Sequence, residues 1–498
     1  LAAYGWESKE SETVLYGDII TIESRGPRVP FNRKEIPINA ICKSFLKTRP
    51  DIVINHNKDA CVPNENAMLQ GIFKYAEVKN VNYNLKAAEL AKEDLIKFLI
   101  KAGLHKCEPI TIEEALLSLH DDSAPGLYWT RKYKTLRQDE LLANDEARTE
   151  IIQRAKDIIA NNVQSPTGAA IKEEALKESK LKENRLRLYN PDDIATKVAH
   201  KSICYQQDNW FSINDYNGGT AIGAPTNKGY THLLFRNYLK VEDVDDIIEV
   251  DDVTGNDSTL PSEILEDVYE VKCYFSTVPD KMWMVGQQVI YCVVSTPLGF
   301  SYITMRGMKS GKNTTITDNS LGTMFIARYL WYSRTEELFS DHNNMICLGD
   351  DGIKTRSNYG HHIQTPDILK YDMNTLGMKF KHIHKGTLFD VDFMGHFFKI
   401  VDGIVVPYQY VCDKWDSLVY NTKPGSGRIL CKINSLISEA AHADDIDQLV
   451  DFRDFLLNEH RNSTDFTYDE FWDQGLDSYH SLEFNKNSYF PVLEMRSF

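Results

Sequence analysis

No run in the sequence reaches the ~18 continuous apolar residues that a membrane span requires, so no span is expected. The opening LAAYGWESKE has neither a basic n-region nor an apolar h-region, and no export signal is expected there. Cysteine is scarce and unpatterned: nine residues (42, 61, 107, 204, 273, 292, 347, 412 and 431) with no CxxC and no close pair. That excludes a disulfide framework, and such a set is expected to be buried and reduced, as in a cytosolic protein. A basic excess is also missing, since 56 Lys plus Arg against 72 Asp plus Glu leave a net charge of −16. This disfavours a nonspecific nucleic-acid coat, although an acidic shell can enclose a basic channel. With 17 Pro and 27 Gly, and no repeat, low-complexity tract or long linker, the disordered and fibrous classes are excluded. The start at Leu1 rather than Met suits a product cut from a longer precursor, or a trimmed chain.

What is present is the composition of a large enzyme. The 498 residues, 42% hydrophobic and 11% aromatic, supply a sizeable core and length for about three domains or one multi-lobed molecule. Residues 84–103 carry Leu85, Leu90, Leu95, Phe98 and Leu99 at helical spacing before Gly103, and residues 112–119 and 137–161 also read as helical. From 247 onward the pattern alternates as in an α+β sheet domain. IIEVDD reads as a buried strand, PSEILEDVYEVKCYF as a helix with Pro261 in its first turn, and VIYCVVSTPLGFSYITM as a strand pair. A long helix over TITDNSLGTMFIARYLWYS, a hairpin over MICLGDDGIKT turning at GDD, and a second strand pair over DFMGHFFKIVDGIVVPYQYV follow. The chain reads as mostly helical after about residue 424.

Chemistry concentrates in the carboxylates. Asp252 follows a predicted strand, Asp257 stands five positions later, and Asp350 and Asp351 occupy the tip of a predicted hairpin. Carboxylates at strand ends and tight turns can converge on hard cations such as Mg2+, and two such ions can clamp the attacking and leaving oxygens of a phosphoryl transfer. Asp251 is the competing ligand, but only Asp252 has a carboxylate partner five positions on. Between the acidic sites lies GMKSGKNTTITDN, in which Ser310, Gly311, Thr315 and Asn319 suit close approach to a sugar-phosphate and hydrogen bonding to a ribose hydroxyl. A P-loop is excluded there, because three residues rather than four separate Gly307 from Gly311, and Asn313 follows Lys312 where Ser or Thr belongs. His361, His362, His382 and His384 lack the spacing of a zinc site. Residues 172–187 hold six basic and four acidic side chains; by themselves they read as a solvated helix face. A second basic run, Arg131, Lys132, Lys134 and Arg137, follows the SAPGLYW loop.

Taken in order, these segments resemble the palm of viral RNA-dependent RNA polymerases of the picornavirus-like group. DVTGNDSTLP resembles motif A, GMKSGKNTTITDN motif B, MICLGDDGIKT motif C, LGMKFKHIHK motif D and FMGHFF motif E. Upstream, KEEALKESKLKENRLRL is similar to motif F and SAPGLYW to motif G. Leu348 replaces the Tyr usual before Gly349, and Lys309 stands where Pro is common.

The resemblance implies an α+β right-hand polymerase with an antiparallel-sheet palm flanked by helices. It implies fingers over 1–246 with an N-terminal extension and interleaved palm, a palm over 247–400 with a fingers insertion near 280–305, and a thumb over 401–498. It implies RNA-templated RNA synthesis from ribonucleoside triphosphates. Asp252, Asp350 and Asp351 would hold two Mg2+ ions, with Mn2+ as a substitute, and Lys385 would act as general acid. Arg185 and Arg187 would bind the triphosphate, while Asp257, Ser310, Gly311, Thr315 and Asn319 would surround the nucleotide. Arg131, Lys132, Lys134, Lys172, Lys177 and Lys180 would line the RNA channel. The implied partners are template and product RNA and other viral replication proteins, in replication complexes of the host cytoplasm. Two alternatives remain at this level. A reverse transcriptase usually carries a bulky side chain where Asp257 stands and lacks the Ser-Gly-Thr-Asn series. A catalytically silent RNA-binding viral protein would not need the full carboxylate set.

Overall fold

The computed structural model describes residues 40–460, apart from several short interruptions, together with Thr13–Tyr16, Ile19–Ile22 and Lys486. Its centre is a four-stranded antiparallel sheet, ordered Asn343–Leu348, Asp351–Arg356, Ile248–Val253 and Phe380–Gly386. The GDD hairpin forms as its sequence demands: Leu348 pairs with Asp351, and Gly349 takes φ +63°, the left-handed conformation that glycine tolerates without penalty. The Phe380–Gly386 strand, absent from the sequence reading, closes the sheet on the far side of Ile248–Val253.

Beside this sheet runs the Thr315–Tyr332 helix, buried on almost every side, which packs on Leu85–Lys101 and Ser262–Tyr274. A helix hydrophobic or buried all round belongs in the interior of a large protein. The charges it carries inward are therefore paired. Lys272 donates to Asp318 at 2.6 Å, Tyr269 donates to the same carboxylate at 2.8 Å, and Asp208 lies 3.9 Å from Lys272. Arg328 meets Asp94 at 2.7 Å.

The predicted 84–103 helix spans Leu85–Lys101, capped by Asn84, and Gly103 follows at φ +96°. Residues 137–161 divide instead into Gln138–Leu142 and Asp145–Ile159, because the Asn144 side chain accepts the Ala147 N–H and starts a second helix. The predicted strand pair over 289–305 is shorter than expected. Ile290 ends the Pro279–Ile290 helix, and only Val293–Ser295 and Ser301–Thr304 are strands. They join Thr13–Tyr16, Ile19–Ile22 and Pro166–Gly168 in a separate five-stranded sheet. The charged run over 172–187 is not one helix: it contains Ala175–Lys177 and a single short helix, Glu178–Lys182, with no buried residue.

Phe397–Val401 and Ile404–Tyr408 form the second predicted hairpin. Beyond it Val411–Val419, Ser426–Glu439 and Asp447–His460 build their own core around Trp415, Ile433 and Phe452. The Ala40–Thr48 helix enters that core through Cys42 and Phe45, so an N-terminal element packs with the last helices. Cys42, Cys61, Cys204, Cys292 and Cys347 are buried as expected, but Cys107, Cys273 and Cys412 are partly exposed, because their elements lie nearer the surface.

The Lys272 network gives a stability prediction. Lys272→Met leaves Asp318 buried without its cation, and removing one partner of such a pair costs about 3–5 kcal/mol. Urea unfolding should register that loss, and adding Asp318→Asn should recover part of it.

Candidate active site

Strand alternation sorts the acidic residues of Ile248–Val253 onto two faces. Glu249 and Asp251 share one face; Asp252 points to the other. Asp251 is taken up by Lys354, with which it forms an ion pair and hydrogen bond. Glu249 is fully buried among Lys354, Arg356, His361 and Lys385. Although burial opposes its charge, Lys354, Arg356 and Lys385 hold the Glu249 carboxyl down to about 2.

Asp252 is left at the cleft with Asp350 and Asp351. Asp351 is pushed up to about 6 by burial, with Asp350, Asp252 and Asp392 adding repulsion and Lys381 opposing. Burial likewise raises Asp350, Asp252 adds to the rise, and Arg187 opposes it. Among the described residues no group of three or more His, Cys, Asp or Glu side chains is drawn together tightly enough to hold a metal as it stands. The three carboxylates share an electrostatic field, and their all-oxygen donor set fits a hard divalent cation such as Mg2+. Lys381 is a counter-cation of Asp252, its Nζ 2.6 Å from the Asp252 Oδ2. Lys381 reaches it because the sheet register shifts between Phe380 and His382, and a bulge re-aims the side chain beside it.

The turn that carries Asp350 is fastened from the neighbouring helix. Gly349 N–H donates to the Ser320 hydroxyl at 2.9 Å, and the Thr323 hydroxyl donates to the Gly349 carbonyl at 2.7 Å. The sequence reading missed Ser320 and Thr323. Their spacing of three on a helix, starting at the residue after Asn319, was the available signal.

Asp257 lies in the first turn of a short helix, Asn256–Thr259, after Gly255 at φ +62°. Its carboxylate accepts from Ser310 at 2.8 Å; burial raises the carboxyl, while Ser310 oppositely favours the ionised form. Asn256 donates to Asn319 at 3.3 Å, so the two segments resembling motifs A and B meet twice. Gly311, at φ +97°, lies against Asn190 and Pro191. Thr315 is turned inward, its hydroxyl donating to the carbonyls of Lys309 and Lys312 at 3.1 and 2.9 Å.

Of the basic residues, Arg187 faces this cleft, where its charge acts on Asp257 and Asp350; it also lies 3.6 Å from Glu174. Lys172 acts on Asp257 as well and stands 3.5 Å from Glu174. Arg185 pairs with Glu183 at 2.5 Å. Lys177 and Lys180 are exposed on the short 178–182 helix and its N-cap. Lys132 is tied to Glu150 at 2.6 Å, Lys134 is exposed at φ +59°, and the side chain of Arg131 lies outside the described residues. Lys385 is not brought to the carboxylates. It pairs in register with Glu249, on the face opposite Asp252, because an antiparallel ladder puts directly opposed residues on one face.

The surroundings of this cleft have known counterparts. The fold matches the Sicinivirus 3Dpol RNA-dependent RNA polymerase with a TM-score of 0.73 and 14% identity, covering 92% of this chain and 98% of that one. The genome polyprotein of Peanut mottle virus (strain M) is 25% identical over 358 residues, 69% of this chain and 11% of that protein. That of Ryegrass mosaic virus (isolate Denmark/Danish) is 22% identical over 361 residues, again 69% of this chain and 11% of the polyprotein. The chain thus spans about a tenth of the length of these relatives. Residues 44–442 match the viral RNA-dependent RNA polymerase family as a whole, so the right-hand fold read from the ordered motifs is borne out, and the chain belongs to that family.

Proposed function

We propose that the chain synthesises RNA on an RNA template from ribonucleoside triphosphates, by two-metal-ion nucleotidyl transfer in replication of a viral genome. The observation that carries this reading is the single cleft formed by Asp252, Asp350 and Asp351, with Asp257, Ser310 and Asn319 on one side and Arg187 facing them. Asp252 and Asp350, helped by Asp351, are the residues that would hold two Mg2+ ions, or Mn2+ in their place. Bound there, the ions would supply Lewis acidity toward the primer 3′-hydroxyl and neutralise charge on the α-phosphate and pyrophosphate.

The remaining steps belong to the chain's own groups. Arg187, with Arg185 near it, binds the triphosphate through charge-assisted forked bonds. Asp257, Ser310 and Asn319 read the ribose, whose 2′-hydroxyl is both donor and acceptor. Gly311 leaves room for the backbone to approach the nucleotide, and Thr315 shapes the same loop from within. Lys381 balances Asp252 until cations arrive. Lys385, committed to Glu249, belongs to the structural cluster beneath the sheet and is not assigned proton transfer.

RNA would run past Lys172, Lys177, Lys180, Lys132, Lys134 and Arg131. The separate sheet containing Val293–Ser295 and Ser301–Thr304 supports a fingers insertion near 280–305 within a palm over 247–400. Fingers over 1–246 and a thumb over 401–498 complete the hand, with Ala40–Thr48 lodged among the thumb helices. No described helix is long and apolar enough to cross a membrane. We assign the work to replication complexes in the host cytoplasm, together with other viral proteins.

Asp350→Asn should abolish nucleotide addition on a primed RNA template while the fold persists, because a neutral amide cannot balance the cations. Near-normal incorporation by that variant at unchanged Mg2+ contradicts the metal assignment. The raised Asp351 carboxyl sets a pH dependence. The folded state holds its proton up to about 6, above the unfolded value of 3.8, so this group's contribution to stability is full below 3.8 and lost as pH rises through 6. In the metal-free protein Asp351→Asn should therefore flatten that part of the melting-temperature profile. Mg2+ binding by the wild type should weaken as pH falls through the same window.

Asn319→Ala tests ribose reading. Loss of a buried hydrogen-bonding partner costs about 1–3 kcal/mol, so preference for ATP over dATP in kcat/KM should fall by roughly 5 to 150 fold. A wild type that prefers dATP overturns the RNA-polymerase reading, and an unmoved ratio in the variant removes only the role of Asn319.

A further inference from the structure

Lys309 stands where proline is common in the family, and its surroundings are unusual for a lysine. The side chain is completely buried, and its described partners are backbone carbonyls rather than a carboxylate. The ammonium donates to Arg306 at 2.8 Å, Gly307 at 2.9 Å and Ile290 at 3.1 Å. Ile290 is the last residue of the Pro279–Ile290 helix. One side chain therefore closes the turn on itself and ties it to another element.

That turn lies directly against the segment bearing Asp257. Gly307 takes φ +80°, and a Cβ there would lie 2.3 Å from the Asp257 carbonyl oxygen, so the two backbones are already in contact. Gly307 N–H donates to Leu260 at 2.8 Å, and Ser310, immediately after Lys309, donates to the Asp257 carboxylate at 2.8 Å. On the other side the Ser310 carbonyl accepts from Asn190 N–H at 2.6 Å. Lys312, also buried, reaches Thr167 at 3.1 Å and Asp192 at 3.3 Å. Ser310 and Gly311 thus span the interval between two buried lysine anchors.

We propose that Lys309 is a positioning residue for nucleotide selection: its ammonium fastens the 306–310 turn to the end of the Pro279–Ile290 helix and so keeps Ser310 on Asp257. The proposal rests on the reading of Asp257 and Ser310 as ribose-facing groups. An ammonium has three donors for three carbonyls; a neutral amine has two, and turns its lone pair toward the third. Burial pushes Lys309 down to about 7; Cys292 opposes the shift and Lys312 adds to it. The Tyr75 ring also faces it, 5.9 Å from the nitrogen. The turn is accordingly fully fastened below neutrality and loosened above it.

The test measures kcat and KM for ATP and dATP on one primed RNA template, for the wild type, Lys309→Met, Ser310→Ala and the double variant. Lys309→Met keeps the length of the side chain and removes its donors. It should raise KM for ATP about tenfold, the order expected when a buried hydrogen bond is lost, with kcat within about twofold and a lower ATP/dATP preference. In the Ser310→Ala background it should add nothing to the loss of preference, since both changes act through one contact. For the wild type, KM for ATP should rise as pH is raised through about 7, and that inflection should vanish in both single variants. Additive losses in the double variant overturn the proposal, as does wild-type behaviour of Lys309→Met. An unmoved ATP/dATP ratio in Ser310→Ala overturns the ribose reading and this proposal with it. A moved ratio there, beside an unchanged Lys309→Met, overturns the proposal alone. Should Lys309→Met fail to fold, the pH series decides: a flat wild-type profile, or an inflection that survives in Ser310→Ala, overturns it.

Discussion

Three carboxylates that repel one another are held at the ends of neighbouring strands, and the backbone ladder beneath them supplies the opposing force. Asp351 begins the strand whose next residues pair with Asp251, Val250 and Glu249, so the register that builds the sheet also sets Asp252 beside the hairpin tip. That repulsion adds to the burial that raises the carboxyls of Asp350 and Asp351. It persists because the turn has no freedom to relax: Ser320 and Thr323 bind both polar backbone groups of Gly349.

The same sheet separates two uses of charge by strand alternation. On the face of Glu249 and Asp251, every acid meets a base, and Lys354, Arg356 and Lys385 make a buried cluster that holds the sheet to its surroundings. On the face of Asp252 acids outnumber bases, and Lys381 and Arg187 are the cations that temper them. A one-residue slip of Ile248–Val253 would exchange these roles, which is why the flanking apolar residues Ile248 and Val250 matter to the chemistry.

Buried cations lie along the 305–332 stretch or reach into it from a neighbouring helix. Lys309 binds carbonyls, Lys312 reaches Asp192, Lys272 meets Asp318, and Arg328 meets Asp94. Each joins the segment carrying Ser310 and Asn319 to a different element. Replacing well-packed apolar contacts by ion pairs gains little net stability, but it fixes which surfaces meet. In this chain the fixed surfaces are those around Ser310 and Asn319.

The order of the motifs, the helix over Leu85–Lys101 and the GDD hairpin were all legible in the sequence. They depend on periodicity, turn chemistry and short-range spacing, which act within a few residues. What the linear chain could not disclose was decided by long-range register and packing. The Phe380–Gly386 strand carries a bulge that turns Lys381, rather than Lys385, toward Asp252. The charged run at 172–187 folds into short pieces because residues far away, such as Lys58–Ala60, pair with it. Lys309 looked like a departure from a common proline, and only the burial of its ammonium among three carbonyls gives it a part in the site. Side-chain types and their local spacing set which chemistry was available; the sheet register and the closed packing around it determined which of those side chains meet.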